Sequence, residues 1–225
     1  MTDQRDFRKK LLWLTVYAVA MAYLEATVVV YLRELYYPEK MLKIFPPEFL
    51  SDFDLLVELG REAATIIMML SVAFLAERKN ATRIFAAFVY QFGIWDIFYY
   101  IWLKITIGWP VQIAEWDILF LIPWAWLGPW ICPVFISLLF VGWGGAVLLS
   151  GENIRLTKSG WLIFSGGAVL ALISFLQPAL SLILTGGREA LSQYQPDGFW
   201  WWFFISGYLV MAYGLFKDFR KKAGD

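Results

Sequence analysis

Long apolar segments, each about the length of a bilayer crossing, alternate with short polar segments along the whole chain. A transmembrane helix needs about 20 predominantly apolar residues, and six segments approach or reach that length. The pattern predicts one all-α domain over residues 1–225, a polytopic integral membrane bundle of six transmembrane helices. The predicted spans are residues 11–32, 54–76, 84–103, 130–150, 161–185 and 199–216.

The first span follows a basic N-terminus, an arrangement that secretory signal peptides share. Its apolar run continues to Leu32, which is longer than the apolar core of a signal peptide. We therefore expect an uncleaved helix. Ala18, Ala22 and Ala26 recur at every fourth position, and such a stripe of small residues permits close contact with another helix. The stripe is one candidate surface for a homo-oligomer or a larger membrane complex.

One apolar stretch is too long for a single straight span. Residues 116–150 are almost entirely apolar, but Pro123, Pro129 and Pro133 interrupt the first part. Proline breaks or kinks a helix because it lacks a backbone donor and clashes with the preceding turn. We therefore predict an interfacial or re-entrant segment near 116–128, followed by the fourth span.

Lysine and arginine are distributed unequally between the two sets of loops. Thirteen lie in the N-terminus, the links 77–83 and 151–159 and the C-terminal tail, against five in the three alternate loops. Loops on the cytoplasmic side carry the excess of positive charge. The chain is therefore predicted to be a multi-pass protein of the cell membrane, taken as the cell inner membrane, with both termini cytoplasmic.

The amino-acid composition limits which partners and which kinds of site the chain can have. The chain is 60% hydrophobic and has no net charge, which fits a lipid environment, and no nucleic-acid partner is expected. It has no histidine and a single cysteine, Cys132, so the commonest transition-metal ligand is missing and no disulfide can form within the chain. No glycine-rich phosphate loop, HExxH or GxSxG motif occurs. We therefore predict no metal site and assign no cofactor.

Ionisable residues inside the predicted spans are the strongest functional signal. In the second span, Arg61 and Glu62 follow Glu58 by three and four residues. The three side chains therefore share one helical face. Glu25 and Asp96, in the first and third spans, are predicted at the level of Glu62, about 10 Å below the outer boundary at 1.5 Å per residue. Charged groups at membrane depth normally face a bundle interior or a water-filled cavity.

Aromatic residues and one more carboxylate extend this layer. Tyr99 and Tyr100 follow Asp96 by three and four residues, and Asp117 is predicted near the outer interface. Aromatic rings beside carboxylates suit a cationic or amphiphilic ligand through cation–π attraction, although rings at this depth also simply anchor a helix. The candidate binding residues are Glu25, Glu58, Arg61, Glu62, Asp96, Tyr99, Tyr100 and Asp117.

The carboxylates of this layer outnumber Arg61, the one cation that the predicted spans contain. If Arg61 bridges Glu25 and Asp96, it locks three helices together but leaves an acidic surplus. Burying such a surplus without compensation costs several kcal/mol per charge. We therefore expect protonated carboxyl groups, a bound cation or access to water.

Three functions fit these features, and the sequence leaves open whether the chain is an enzyme. The favoured one is binding or transport of a proton or a cation, organic cations included. The second is a structural or assembly subunit whose charges only specify helix pairing. The third is an intramembrane enzyme that acts on an amphiphilic, lipid-like substrate with two carboxylates as acid and base or as Mg²⁺ ligands. A sealed charge network favours the structural subunit, a cavity open to the outer face favours binding, and a sideways opening favours the enzyme.

Overall fold

The computed structural model describes residues 4–48, 50–78, 80–122, 124–150, 154–196 and 198–220. This part of the chain forms six helices and one two-stranded hairpin. Pro123, Lys79, Lys221 and Lys222, which contribute to the sequence predictions, lie outside the described residues. The elements are α1 (Gln4–Tyr36), α2 (Asp52–Ala76), α3 (Ala81–Ile107), β1 (Trp116–Phe120), β2 (Trp126–Pro129), α4 (Ile131–Leu149), α5 (Lys158–Ser192) and α6 (Trp201–Arg220).

The predicted all-helical architecture is confirmed in outline, and its insertion in a membrane stays a prediction. Within the described residues, the five helices α1 to α5 are long and apolar enough to cross a membrane. Helix α6 falls short of this hydropathy, because Lys217 and Asp218 lie near its end and lower its mean hydropathy. Each of the six predicted spans lies largely within one helix, but α1 begins seven residues earlier and α5 ends seven residues later than predicted. The number of membrane crossings stays a prediction.

The helices alternate in direction, so the bundle has two distinct ends. Lys10 near the start of α1, Glu77 after α2 and Arg83 near the start of α3 meet in one cluster. At the same end, Thr157 before α5 donates two hydrogen bonds to Asp218 near the end of α6. We call this the terminal end, since the first and last helices begin and finish there. The opposite end carries β1 and β2 and is called the hairpin end.

The alanine stripe of α1 is buried inside the bundle. Ala18, Ala22 and Ala26 are each at most 1% exposed, and the first two pack in one cluster with Trp95 of α3. The close helix contact that the stripe predicts is therefore made within the chain. The stripe is not available as a contact with another subunit, and the oligomer itself stays a prediction.

Glycines let α5 and α6 touch through their backbones. A Cβ on Gly167 would lie 2.5 Å from the backbone nitrogen of Met211, and a Cβ on Gly207 would lie 2.5 Å from that of Ala171. Close backbone approach through small residues is the usual packing mode where lipid removes the hydrophobic drive between helices. Helix α6 is therefore paired with α5 despite its lower hydrophobicity.

The segment 116–129 forms an antiparallel hairpin. Trp116 pairs with Pro129 across it, and Trp126 stacks on Phe175 of α5 with the rings 10° from parallel. The prolines predict a break in helical structure here, and that break is present. The strands were not predicted, because so apolar a segment shows no alternation of polar and apolar positions. Its place relative to the membrane interface stays a prediction.

Helix α1 continues one turn beyond the predicted span, to Tyr36. Arg33 therefore lies inside the helix and is 3% exposed. Because the predicted first span ends at Leu32, the sequence analysis counted Arg33 among the loop residues outside the spans. That assignment was wrong, and it changes the charge balance of the site.

Candidate functional site

Arg61 of α2 binds carboxylates on two helices. Its Nε donates to Glu58 Oε2 at 2.8 Å, and its Nη1 donates to Glu25 Oε1 of α1. The predicted bridge from Arg61 to Asp96 is not formed. Glu58 competes successfully because it lies one turn earlier on the same helix, where a salt bridge at this spacing forms readily. The Arg61 guanidinium therefore ties α1 to α2.

Glu62 has a backbone partner instead of a cation. The backbone N–H of Leu121, just after β1, lies 3.0 Å from each of its carboxylate oxygens. Glu62 is only 5% exposed. None of the ion pairs between described residues includes it. Its buried charge therefore has no direct counter-ion in this part of the chain.

Asp96 of α3 is likewise a buried carboxylate without a described cation beside it. Its Oδ2 accepts a hydrogen bond from Ser137 of α4 at 2.8 Å, and the side chain is 8% exposed. The described ion pairs do not include Asp96 either. Trp95, the preceding residue, is 6% exposed, and its buried indole Nε1 has no hydrogen-bond partner among the described residues.

Arg33 is a second internal cation, which corrects the sequence analysis. Its Nη2 lies 3.5 Å from Asp117 Oδ1, and Tyr100 donates its hydroxyl to the other oxygen of Asp117 at 3.3 Å. The guanidinium carbon of Arg33 stands 4.0 Å from the ring centroid of Trp109. Arg33 lies two turns after Glu25 on α1, and that spacing was the one signal that could have placed it at the site.

Asp117 lies in the hairpin and is only 3% exposed, but its carboxyl group can still ionise. Burial raises the pKa of Asp117 to about 6, since the nearby Arg33 guanidinium offsets only part of the effect. Loss of water disfavours the ionised form of a carboxyl group, whereas a neighbouring cation favours it. Asp117 therefore changes charge between mild acid and neutral pH.

An acidic surplus persists after Arg33 is included. Five carboxylates face two guanidinium groups in the layer, and each unmatched buried charge costs several kcal/mol unless a proton, a cation or water compensates it. The surplus that the sequence predicts is therefore present. The carboxylates are Glu25, Glu58, Glu62, Asp96 and Asp117, and the guanidinium groups are Arg33 and Arg61.

Two adjoining cavities reach this cluster, so the network is not sealed. A cavity of about 140 Å³ near the hairpin end is lined by Arg61, Glu62 and Asp117 among others. A chamber of about 50 Å³ shares Arg61, Glu62 and Tyr99 with it and extends to Asp96. A water molecule occupies about 30 Å³ in the liquid. The chamber therefore has room for water molecules or a small ion.

All eight residues predicted from the sequence line one of these two cavities. Tyr99 lines both, and Tyr100 and Glu25 line the chamber. Sequence reasoning missed three participants, namely Arg33, Ser137 and the backbone of Leu121. A backbone donor carries no residue-specific signal, and one serine in an apolar helix is too common to single out.

A third cavity begins where the chamber ends. It has a volume of about 350 Å³ and shares Trp95, Asp96 and Leu119 with the chamber. Its remaining walls are apolar residues, one of them a proline, which come from helices α2 to α6 and from the hairpin. Asp96 therefore stands at the junction between a small polar chamber and a larger apolar cavity.

The charge cluster at the terminal end provides a contrast. The Nε of Arg83 lies 3.1 Å from Glu77 Oε2, and the ammonium of Lys10 lies 2.8 Å from Glu77 Oε1. Burial alone would raise the pKa of Glu77, but hydrogen bonds from Arg83 and Lys10 outweigh it and hold the pKa below its usual value. One buried carboxylate between two cations is a compensated, structural arrangement. The cluster at the hairpin end is not compensated in this way.

No family model, curated protein or solved structure matches the chain. Within the described residues, no three histidine, cysteine, aspartate or glutamate side chains come together in a way that could hold a metal ion. Since function resides in sites rather than in folds, the acidic cluster is the feature from which a function of this chain can be inferred.

Proposed function

We propose that this chain is a multi-pass membrane protein that binds and exchanges a proton, or a small cation in its place, at the acidic cluster. The observation that carries this proposal is the acidic surplus around a 50 Å³ chamber that adjoins a cavity at the hairpin end. Negative charge in excess at membrane depth requires positive charge or water. A chamber of this size admits a proton on water or a small ion.

Glu62 and Asp96 are the proposed binding carboxylates. Both line the chamber, and the ion pairs of the described residues leave both without a cation. Arg61 has a different role, because Glu25 and Glu58 already hold its guanidinium. It fixes the wall of the chamber. The bound proton or ion supplies the positive charge that the protein side chains do not.

Access to the site is proposed to come from the outer face. The distribution of lysine and arginine favours a cytoplasmic terminal end and an outer hairpin end. The 140 Å³ cavity then leads inward from the outer face to Glu62. In this conformation the Glu77, Arg83 and Lys10 cluster lies at the other end of the helices. Transport, as distinct from binding, would require a second conformation with access from that end.

The structural-subunit alternative predicts compensated charges, as found around Glu77, and the acidic surplus counts against it. The enzyme alternative is favoured by one specific observation, the apolar cavity that continues from Asp96. An enzyme would change an amphiphile chemically there, whereas a binding protein would release it unchanged.

The proposal is tested by electrical recording from proteoliposomes adsorbed on a solid-supported membrane. A jump to lower outer pH should produce a transient charge displacement in the native protein. Glu62→Gln and Asp96→Asn should each reduce that charge at least severalfold. Glu34→Gln is the matched control, because Glu34 is an exposed carboxylate on α1, and it should leave the charge unchanged.

The time course separates the two forms of the proposal. A fast transient alone indicates binding, whereas a sustained current indicates transport. A native protein that gives no more charge than empty liposomes, or variants that retain the full charge, would overturn the assignment of the acidic cluster as a binding site.

A further inference from the structure

The 350 Å³ cavity beside Asp96 has the character of a small-molecule site. Such sites have volumes of about 300–1,000 Å³ and walls that are mostly apolar, with a few polar groups that orient the ligand. Here the apolar walls include Phe92, Phe140 and Leu172, and the one charged group is Asp96. We propose that this cavity binds the apolar body of a long-chain organic amine whose ammonium group pairs with Asp96.

The polar groups at the junction support an occupant there. Asp96 is 8% exposed and uses its Oδ2 to accept from Ser137, and no described hydrogen bond reaches its Oδ1. The indole nitrogen of Trp95, which lines both spaces, is buried without a described partner. An indole N–H donates and an ammonium group accepts nothing, so the missing partner of Trp95 would be a water molecule in the chamber and not the amine itself. The face of a tryptophan also attracts an ammonium group.

Charge complementarity selects an amine rather than another amphiphile. The cluster around the chamber has five carboxylates and two guanidinium groups, so a fatty acid or a phosphate would be repelled. A neutral alcohol would fill the apolar cavity but would leave Asp96 without a counter-ion. An ammonium group gives a charge-assisted hydrogen bond to Asp96, the stronger class of hydrogen bond.

The cavity also lies where an amphiphile can enter from the bilayer. Ile66 of α2 and Val169 of α5 stand among its lining residues, and Val169 is 55% exposed. Over the described residues α2 and α5 make no extensive contact with each other. Val169 therefore joins the wall of the cavity to the outer surface of α5, and the proposed entry route lies there. The inference deepens the proposed function and rests on it, because the charge of Asp96 serves both.

The test uses radiolabelled dodecylamine, dodecanol and dodecanoate with the purified full chain in nanodiscs of zwitterionic lipid, and empty nanodiscs give the background. Dodecylamine should bind at least about tenfold more tightly than dodecanol, the ratio expected from one hydrogen bond to a charged group. Dodecanoate should not bind above background. Equal binding of the amine and the alcohol would overturn the proposal, since the cavity would then take any alkyl chain.

Variants locate the binding. Asp96→Asn should reduce dodecylamine affinity by about tenfold or more and leave dodecanol affinity nearly unchanged. Ala168→Leu, which fills the cavity, should weaken both ligands, and Ile136→Trp is a second filling variant in case the first does not fold. Ala64→Leu is the matched control, since Ala64 is exposed on α2, and it should weaken neither. Unchanged dodecylamine binding in both filling variants would overturn the assignment.

The two proposals fail in different ways. If the native protein gives pH-jump charge but binds dodecylamine no better than dodecanol, the amine site is wrong and the proton site stands. If the charge is absent and dodecylamine still binds with the predicted dependence on Asp96 and Ala168, the proton site is wrong and the amine site stands. Recovery of chemically altered amine would replace both with the enzyme alternative.

Discussion

Leu121, just after the first strand of the hairpin, donates its backbone N–H to both carboxylate oxygens of Glu62, 3.0 Å away in each case. The hairpin is thereby attached to a buried acidic residue of α2 that belongs to none of the ion pairs in the described part of the chain. A change in the charge of Glu62 alters the strength of this bond, because hydrogen bonds to charged acceptors are the stronger ones. We therefore expect protonation of Glu62 to loosen the attachment of the hairpin to α2.

Loss of Arg61 should destabilise the protein far more than loss of the Asp96 charge. Arg61→Ala leaves Glu25 and Glu58 without their counter-ion, and breaking a buried pair costs about 3–5 kcal/mol. Because Arg61 keeps 20% of its side-chain exposure, the lower end of that range is expected. Asp96→Asn retains the hydrogen bond from Ser137 and should change stability by no more than about 1 kcal/mol. Unfolding in detergent measures both. Equal losses would show that Asp96 is a structural partner.

Adjacent glycines of α5 should respond in opposite directions. Gly166→Ala enters open space and should stabilise the helix by about 0.5–1 kcal/mol, because alanine loses less conformational entropy. Gly167→Ala places a Cβ 2.7 Å from the carbonyl oxygen of Gly207 and should cost about 1–3 kcal/mol through overpacking. The two melting temperatures in the same detergent provide the comparison. Equal shifts would contradict the close pairing of α5 and α6.

Asp117 should make stability depend on pH. The pKa of Asp117 is raised to about 6 in the folded protein by burial, which Arg33 offsets only in part, against about 3.9 in an unfolded chain. The folded state therefore holds the proton more tightly, and stability falls as pH rises from about 4 to about 6 and then levels off. Asp117→Asn should lack this fall. Melting curves of both proteins across this range test it, and identical pH profiles would exclude the assignment.

Six crossings with cytoplasmic termini can be checked by reporter fusions. Fusions after Gly108 and Gly187 should report the outer side, and fusions after Lys79 and at the C-terminus should report the inner side. The C-terminal fusion tests whether α6, which falls short of the hydropathy of α1 to α5, crosses the membrane. An outer C-terminus would show that one predicted helix does not cross.

Much of the helical architecture followed from the sequence, because apolar length and loop charge are properties of single segments. Glu25, Glu62 and Asp96 could be placed at one level by counting residues at 1.5 Å each. The partners could not, because they depend on how the helices pack. Arg33 was left outside the spans because the apolar run ends at Leu32, whereas the helix itself continues to Tyr36. The hairpin gave no periodic signal. The cavities are properties of several elements together and have no counterpart in the sequence.

The central claim is that Glu62 and Asp96 take up exchangeable protons, and proton-uptake stoichiometry tests it most directly. Purified protein in weakly buffered detergent would be taken from about pH 8 to about pH 5. Few side chains with ordinary pKa values titrate in that range. Bound protons would be counted by back-titration. The account predicts that the double variant Glu62→Gln/Asp96→Asn takes up at least about one proton per chain fewer than the Glu34→Gln control. Equal uptake by the two variants would contradict it.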